Sequence, residues 1–129
     1  MEGLTINQAA ETTGWSPRML RYIEGAGLIE PARTASGYRL YGAAELQRLR
    51  TLRELLGEFG CALSDVAFAE RLRSDPELSA AVERWFEERP ARPEGIPSGD
   101  WLSWEQEKHQ RLLELETSAD TTRLTETAA

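Results

Sequence analysis

The run Thr12-Thr13-Gly14-Trp15-Ser16-Pro17 closes one helix and opens the next within a few residues, and it restricts the fold more tightly than any other stretch of the chain. Glycine supplies the left-handed conformation that ends a helix. Ser16 is a good N-cap, and Pro17 falls at the first helical position, where a missing N–H costs nothing. Upstream, Thr5 and Gln8 form a T-x-x-Q capping box behind Leu4, with Ile6, Ala9 and Ala10 as a small apolar face. Trp15 ahead of the second cap and Leu20 inside it make a hydrophobic staple, and this helix is expected to reach Ala26, with Gly27 at its end. Two short helices joined by a tight glycine turn, the second of them basic, form a helix-turn-helix signature.

At about 100° per residue, the second helix separates into two sides. Met19, Leu20, Ile23 and Ala26 face inward, whereas Arg18, Arg21, Tyr22 and Gly25 face outward. Residues 28–41 read as a hairpin, with Thr34-Ala35-Ser36-Gly37 as the turn and Tyr38-Arg39-Leu40-Tyr41 as the return strand. Arg33, Tyr38 and Arg39 lie near its tip, so the hairpin reads as a wing beside the helix pair.

A third helix is expected from Ala43 to Leu56, with Leu46, Leu49, Leu52, Leu55 and Leu56 as its stripe and Arg48, Arg50 and Arg53 around it as solvated charges. Gly57 and Gly60 break the pattern. Residues 64–73 form a fourth helix whose apolar side holds Val66, Ala67, Ala69 and Leu72. Asp75 and Pro76 open a fifth, in which Leu78, Ala81, Val82, Trp85 and Phe86 follow the helical period until Arg89-Pro90. Pro90, Pro93 and Pro97 make residues 90–99 a linker. A last helix over about 101–117 precedes a frayed, flexible tail. The resulting fold class is mainly α: a winged helix-turn-helix over 4–73, helices over 74–118, and a tail over 119–129.

Charge divides along the chain. The net charge of the 129 residues is −7. Residues 14–53 nevertheless hold seven arginines against three glutamates, a local +4, and residues 61–129 hold eight basic against fifteen acidic groups, a local −7. An anionic partner responds to the local potential, so the basic segment is the side suited to phosphate. Single copies of cysteine (Cys61) and histidine (His109) exclude an internal disulfide and a cysteine-rich zinc site, and no nucleophile motif accompanies the histidine. No enzyme chemistry, metal or cofactor is expected. With no charged-apolar leader at the start and no apolar run of membrane length, the expected location is the reducing cytoplasm.

Three stretches, LTINQAAETTGWSPRMLRYIEGAGLIEPAR, ASGYRLYGAAELQRLRTLRELL and the weaker FGCALSDV, together resemble the MerR family of transcriptional regulators over about residues 4–73. The resemblance implies a winged helix-turn-helix with Gly37 to Tyr41 in the first wing and Gly57 to Leu63 in the second. It implies a homodimer on a palindromic promoter operator in double-stranded DNA, which it bends and untwists so that RNA polymerase can use both promoter elements. The family residues carried over are Arg18, Arg21 and Tyr22 in the recognition helix and Tyr38 and Arg39 in the wing, with Arg33 added to them. Four features depart from the family pattern: Ile23 replaces an aromatic, Gly42 replaces a side-chain cap, the second wing has no basic residue, and the three prolines forbid one long coiled-coil helix.

Two readings stand for Trp85, Phe86, Trp101 and Trp104: anchors of a dimer interface and small core, or the wall of a pocket for an apolar or cationic effector. Cys61 reads as a small hydrophobe and His109 as an exposed helix residue. Two further functions compete with a dimeric regulator. One is an effector-less architectural DNA-binding module of the excisionase kind. The other is a protein-interaction module using the tryptophan-rich acidic half.

Overall fold

The computed structural model describes the backbone of residues 3–128 and the side chains through residue 116. Six helices and one small hairpin follow in order: α1 (Ile6–Thr13), α2 (Pro17–Gly25), β1 (Ala32–Arg33), β2 (Arg39–Leu40), α3 (Ala43–Glu58), α4 (Asp65–Ser74), α5 (Pro76–Glu87) and α6 (Trp101–Ala128). A single turn of 3-10 helix, Ser98–Asp100, leads into α6.

The local signals act as expected at the start of the chain. Thr5 and Gln8 exchange both hydrogen bonds of the capping box. Gly14 adopts φ 79°. Ser16 accepts the Met19 N–H at 3.0 Å. The end of α2 is a Schellman arrangement, in which the Leu28 N–H reaches Ile23 O, the Gly27 N–H reaches Glu24 O, and Gly27 takes φ 78°. At α3 the Gly42 N–H donates to the Glu45 carboxylate at 3.2 Å, but glycine has no side chain with which to return the bond.

The core is one continuous cluster. Trp15, Met19, Leu20 and Ile23 of the helix-turn-helix meet Leu46, Leu49, Leu52 and Leu56 of α3, and Leu78, Val82 and Trp85 of α5 complete it. Trp15 also donates its indole N–H to Leu49 O at 3.1 Å. Helix α3 is the centre, because α1, α5 and α6 all pack on it. The chain reverses between α5 and α6 through the proline-rich linker, where the Gln47 amide makes a reciprocal pair with the Ala91 backbone at 2.6 and 2.8 Å. Helix α6 then lies along α3 and α1 and continues to Ala128, past the end expected near residue 117.

Several expectations need correcting, and crowding around α3 explains most of them. Arg48, Arg50 and Arg53 are not solvated charges. Arg48 lies 4.0 Å above the Trp85 ring and donates to the carbonyls of Trp85, Phe86 and Glu88, capping the end of α5. Burial draws its pKa below the usual arginine value. Arg50 pairs with the fully buried Glu105 at 3.4 Å, and the Trp101 indole donates to the same carboxylate. Arg53 reaches Thr13 O at 3.0 Å and Glu116 at 2.8 Å, joining the first turn to both α3 and α6. His109 is buried rather than exposed, with Nε2 2.9 Å from Leu46 O; a carbonyl only accepts, so that nitrogen carries the hydrogen. In α4 the buried residue is Phe68, while Val66 is exposed. In α5 the pattern holds through Trp85, but Phe86 is 53% exposed.

Two stability predictions follow from this packing. A Cβ on Gly14 would sit 2.7 Å from Arg53 Nη1 and 2.9 Å from Leu113, at a φ that L-residues avoid. Gly14→Ala is therefore expected to lower the urea midpoint by the equivalent of about 2 kcal/mol or more, with m unchanged. Gly57, inside α3 with open space at its Cβ, gives the opposite sign: Gly57→Ala should gain about 0.5–1 kcal/mol.

His109 makes stability depend on pH. Burial first, then Arg50 and Arg53, pulls its pKa down from 6.5 to about 4, outweighing the bond to Leu46. The unfolded chain thus binds the extra proton between those values. The stability this neutral histidine preserves is full above pH 6.5 and is lost as pH falls from there toward 4. Between pH 7 and 5.5 the wild type should lose about 1 kcal/mol more than His109→Gln, read from paired urea titrations.

Candidate nucleic-acid interface

The helix that carries the expected site residues is pinned by its inner side. Met19, Leu20 and Ile23 are withdrawn from solvent, which turns Arg18 and Arg21 outward. The Arg18 side chain is 77% exposed and its Nε donates to Asp65 at 3.1 Å, linking α2 to the first turn of α4. An exposed pair of this kind is worth about 0–1 kcal/mol, so a phosphate or base edge can compete for the guanidinium. Arg21 is exposed and has no ion pair among the described residues. Tyr22 is half-buried, its ring meeting Phe68 edge to face with centroids 6.1 Å apart. It braces α4 against α2 as well as bordering the outer face.

The wing is short and antiparallel, with Ala32 opposite Leu40 and Arg33 opposite Arg39. Its turn is tied by Thr34 N–H to Tyr38 O and Gly37 N–H to Thr34 O, and Gly37 takes φ 88°. A bridge between Leu4 and Tyr41 adds a third segment at the base. Tyr41 is buried there; its hydroxyl has no hydrogen-bond partner among the described residues, and burial pushes its pKa up. Tyr38 stands out at the tip, 73% exposed. With Arg39 it borders a groove shared with Thr5, Ile6 and Asn7 at the start of α1.

Arg33 and Arg39 are not free at the wing. Both guanidinium groups bind the Glu24 carboxylate of α2, Arg33 through Nη2 and Arg39 through Nε. The hydrogen bond to Glu24 raises the Arg39 pKa further, so its charge is permanent. Glu24 and Asp65 are the residues that sequence reading missed. Glu24 had one signal: it is the single acid on α2, inside a run of arginines. Asp65 had none, because its partner lies on another helix.

The assembled surface can do one kind of chemistry. It offers guanidinium N–H groups and phenols along a helix edge and a hairpin tip, which suits a polyanion with regularly spaced oxygens. The four C-terminal aromatic residues do not gather into one site. Trp85 is buried in the chain's own core and donates to Thr51 Oγ1 at 2.8 Å. Phe86 borders a different cleft with Leu28 and Val82. Trp101 and Trp104 are half-buried on α6, the latter 5.0 Å from the Lys108 ammonium. Among the described residues no group of three or more His, Cys, Asp or Glu side chains converges as a metal site. None of the helices is long and apolar enough to cross a membrane, among the described residues.

Comparison with known proteins agrees with this geometry. Residues 4–69 match the family described as MerR HTH family regulatory protein. A Haemophilus influenzae protein named "Probable heavy metal-dependent transcriptional regulator" is 38% identical over 77 residues, 59% of each chain. The HTH-type transcriptional regulator HmrR of Sinorhizobium medicae is 47% identical over 51 residues, 39% of this chain and 35% of the relative. Heavy metal-dependent transcription regulator 2 of Rhizobium meliloti is 47% identical over 51 residues, with the same shares. The chain thus spans about three fifths or less of the length of these relatives, and the family match over residues 4–69 contains α1, α2, the wing and α3. From its turn, its wing and its matched residues, the chain belongs to the MerR family of helix-turn-helix regulatory proteins, a family of regulators and not of enzymes.

Proposed function

We propose that this protein is a sequence-specific transcription regulator that binds double-stranded DNA through α2 and the wing. The observation that carries this reading is the division of α2: three side chains locked in the core, and Arg18 and Arg21 exposed beside a wing that presents Tyr38 and Arg39. Helix α2 enters the major groove with its first turn leading, so Arg18 is the base-reading residue. Arg21, Tyr22, Tyr38 and Arg39 hold phosphates and set register, and Arg33 supports the wing that carries two of them. The acidic C-terminal half keeps that side of the protein away from the duplex.

Two copies act together on a palindromic promoter operator and distort it for RNA polymerase, as in the family. The prolines and the packing of α6 on its own α1 and α3 remove the inner side of that helix from any dimer contact. Among the described residues, the exposed Leu115 on α6 and the exposed Phe86 on α5 are apolar surfaces available for joining copies. The same packing favours one second reading, a monomeric architectural DNA-binding module; sedimentation at micromolar concentration separates the two. The heavy metal in the relatives' names does not fit the donors of this chain. Cys61 is the single cysteine and is buried with its thiol pKa pushed up by that burial, and His109 Nε2 is committed to Leu46 O.

Selection from random duplexes is expected to return a two-half-site palindrome. On that site Arg18→Ala should cost about 1–3 kcal/mol and relax preference at one base pair in each half-site. Arg21→Ala should weaken specific and scrambled duplexes alike and make the salt dependence shallower by about one phosphate contact per copy. Fluorescence anisotropy titrations across salt concentrations check both. If neither variant weakens binding, the docking is wrong.

A further inference from the structure

The wing carries an internal conflict that only α2 resolves. Arg33 and Arg39 are register partners, directly opposite across the two strands. Like charges in that relation destabilise a hairpin, and a two-stranded ribbon this short has little stability to lose. Among the described residues, the carboxylate that reaches both is Glu24, the penultimate residue of α2. One oxygen takes Arg33 Nη2 and the other takes Arg39 Nε. Arg33 uses its remaining fork on the wing's own turn, through Nη1 to Gly37 O at 2.9 Å. Arg39 donates to Glu24 from Nε, and neither of its Nη atoms makes a hydrogen bond among the described residues.

We infer that Glu24 is a positioning residue for DNA recognition: it locks the wing to the recognition helix and holds Arg39 by Nε, so that the Nη fork is presented in a fixed orientation to a backbone phosphate. This inference rests on the proposed DNA-binding function. The carboxylate touches no DNA, and its own charge opposes the phosphates. Its effect is therefore on geometry and not on attraction. A duplex that fits the helix and wing together gains from the lock, because the wing arrives already ordered. A duplex that makes only loose backbone contacts gains nothing and is repelled by the extra negative charge.

The test compares Glu24→Gln with wild type on the selected operator and on a scrambled duplex of equal length, over a range of salt. Glutamine keeps the shape and one acceptor but removes the charge that binds two guanidinium groups at once. The expected result is roughly tenfold weaker operator binding with scrambled-duplex binding unchanged or up to a few-fold tighter, so that the ratio between them falls at least tenfold. The salt dependence of the scrambled complex should become steeper, since two arginines are released to phosphate. In an Arg33→Met, Arg39→Met background the same substitution should leave the ratio unaltered, and matching melting curves confirm that the variants fold. A ratio that Glu24→Gln leaves unchanged, or a loss that persists in the double-methionine background, overturns the inference. Wild-type protein that forms no salt-sensitive complex with any duplex overturns instead the function on which it rests.

Discussion

Leu46, Leu49, Leu52 and Leu56 are each fully withdrawn from water, and burying a leucine contributes about 1.5–3 kcal/mol. Because α3 carries all four, it becomes the body on which α1, α5 and α6 are laid. Trp15 fixes the helix-turn-helix to the same helix by packing and by its bond to Leu49 O. The orientation of α2, and through it the direction of Arg18 and Arg21, depends on that contact. Unlike a helix with one apolar stripe and a wet back, α3 is covered on three sides. Its flanking arginines are consequently drawn into the protein.

Those arginines do different work from the arginines of α2 and the wing. Arg48 caps the end of α5, Arg50 meets Glu105, and Arg53 ties the Thr13 carbonyl to Glu116. The Arg50–Glu105 pair is nearly dry, and removing one partner would strand the other charge, which is costlier than the pair is stabilising. Its use is to define how α6 lies on α3. The basic count of the N-terminal half therefore overstates the charge available to an anionic partner. The part of it that faces outward is on α2 and at the wing tip.

The outward charges are themselves organised by acids. Asp65 holds Arg18 toward α4, and Glu24 holds both wing arginines toward α2. Each carboxylate lowers the local positive potential while ordering the groups that create it. Helix, wing and the start of α4 are thereby joined along one edge by ion pairs between elements far apart in sequence. The MerR membership of the chain rests on the elements along that edge, since the matched residues 4–69 contain the helix-turn-helix, the wing and α3.

What the sequence by itself determined was everything governed by interactions within about four residues: the Thr5–Gln8 box, the Gly14 turn, the Ser16-Pro17 start, the wing turn at Gly37, the α5 stripe through Trp85 and the break at the prolines. These come from backbone dihedrals, caps and side-chain period, which adjacent residues specify. The outward positions of Arg18, Arg21 and Tyr38 were legible for the same reason, as the far sides of a helix and a hairpin. The tertiary structure decided which charges are spent inside. Glu24 and Arg33 are separated by 9 residues, Arg48 and Trp85 by 37, Arg50 and Glu105 by 55, and His109 and Leu46 by 63. A helical period shows which side of a helix turns inward against one neighbour; it contains nothing about a second and third neighbour. Only the chain reversal after α5 brings α6 against α3, and that reversal is what buries His109 and Glu105.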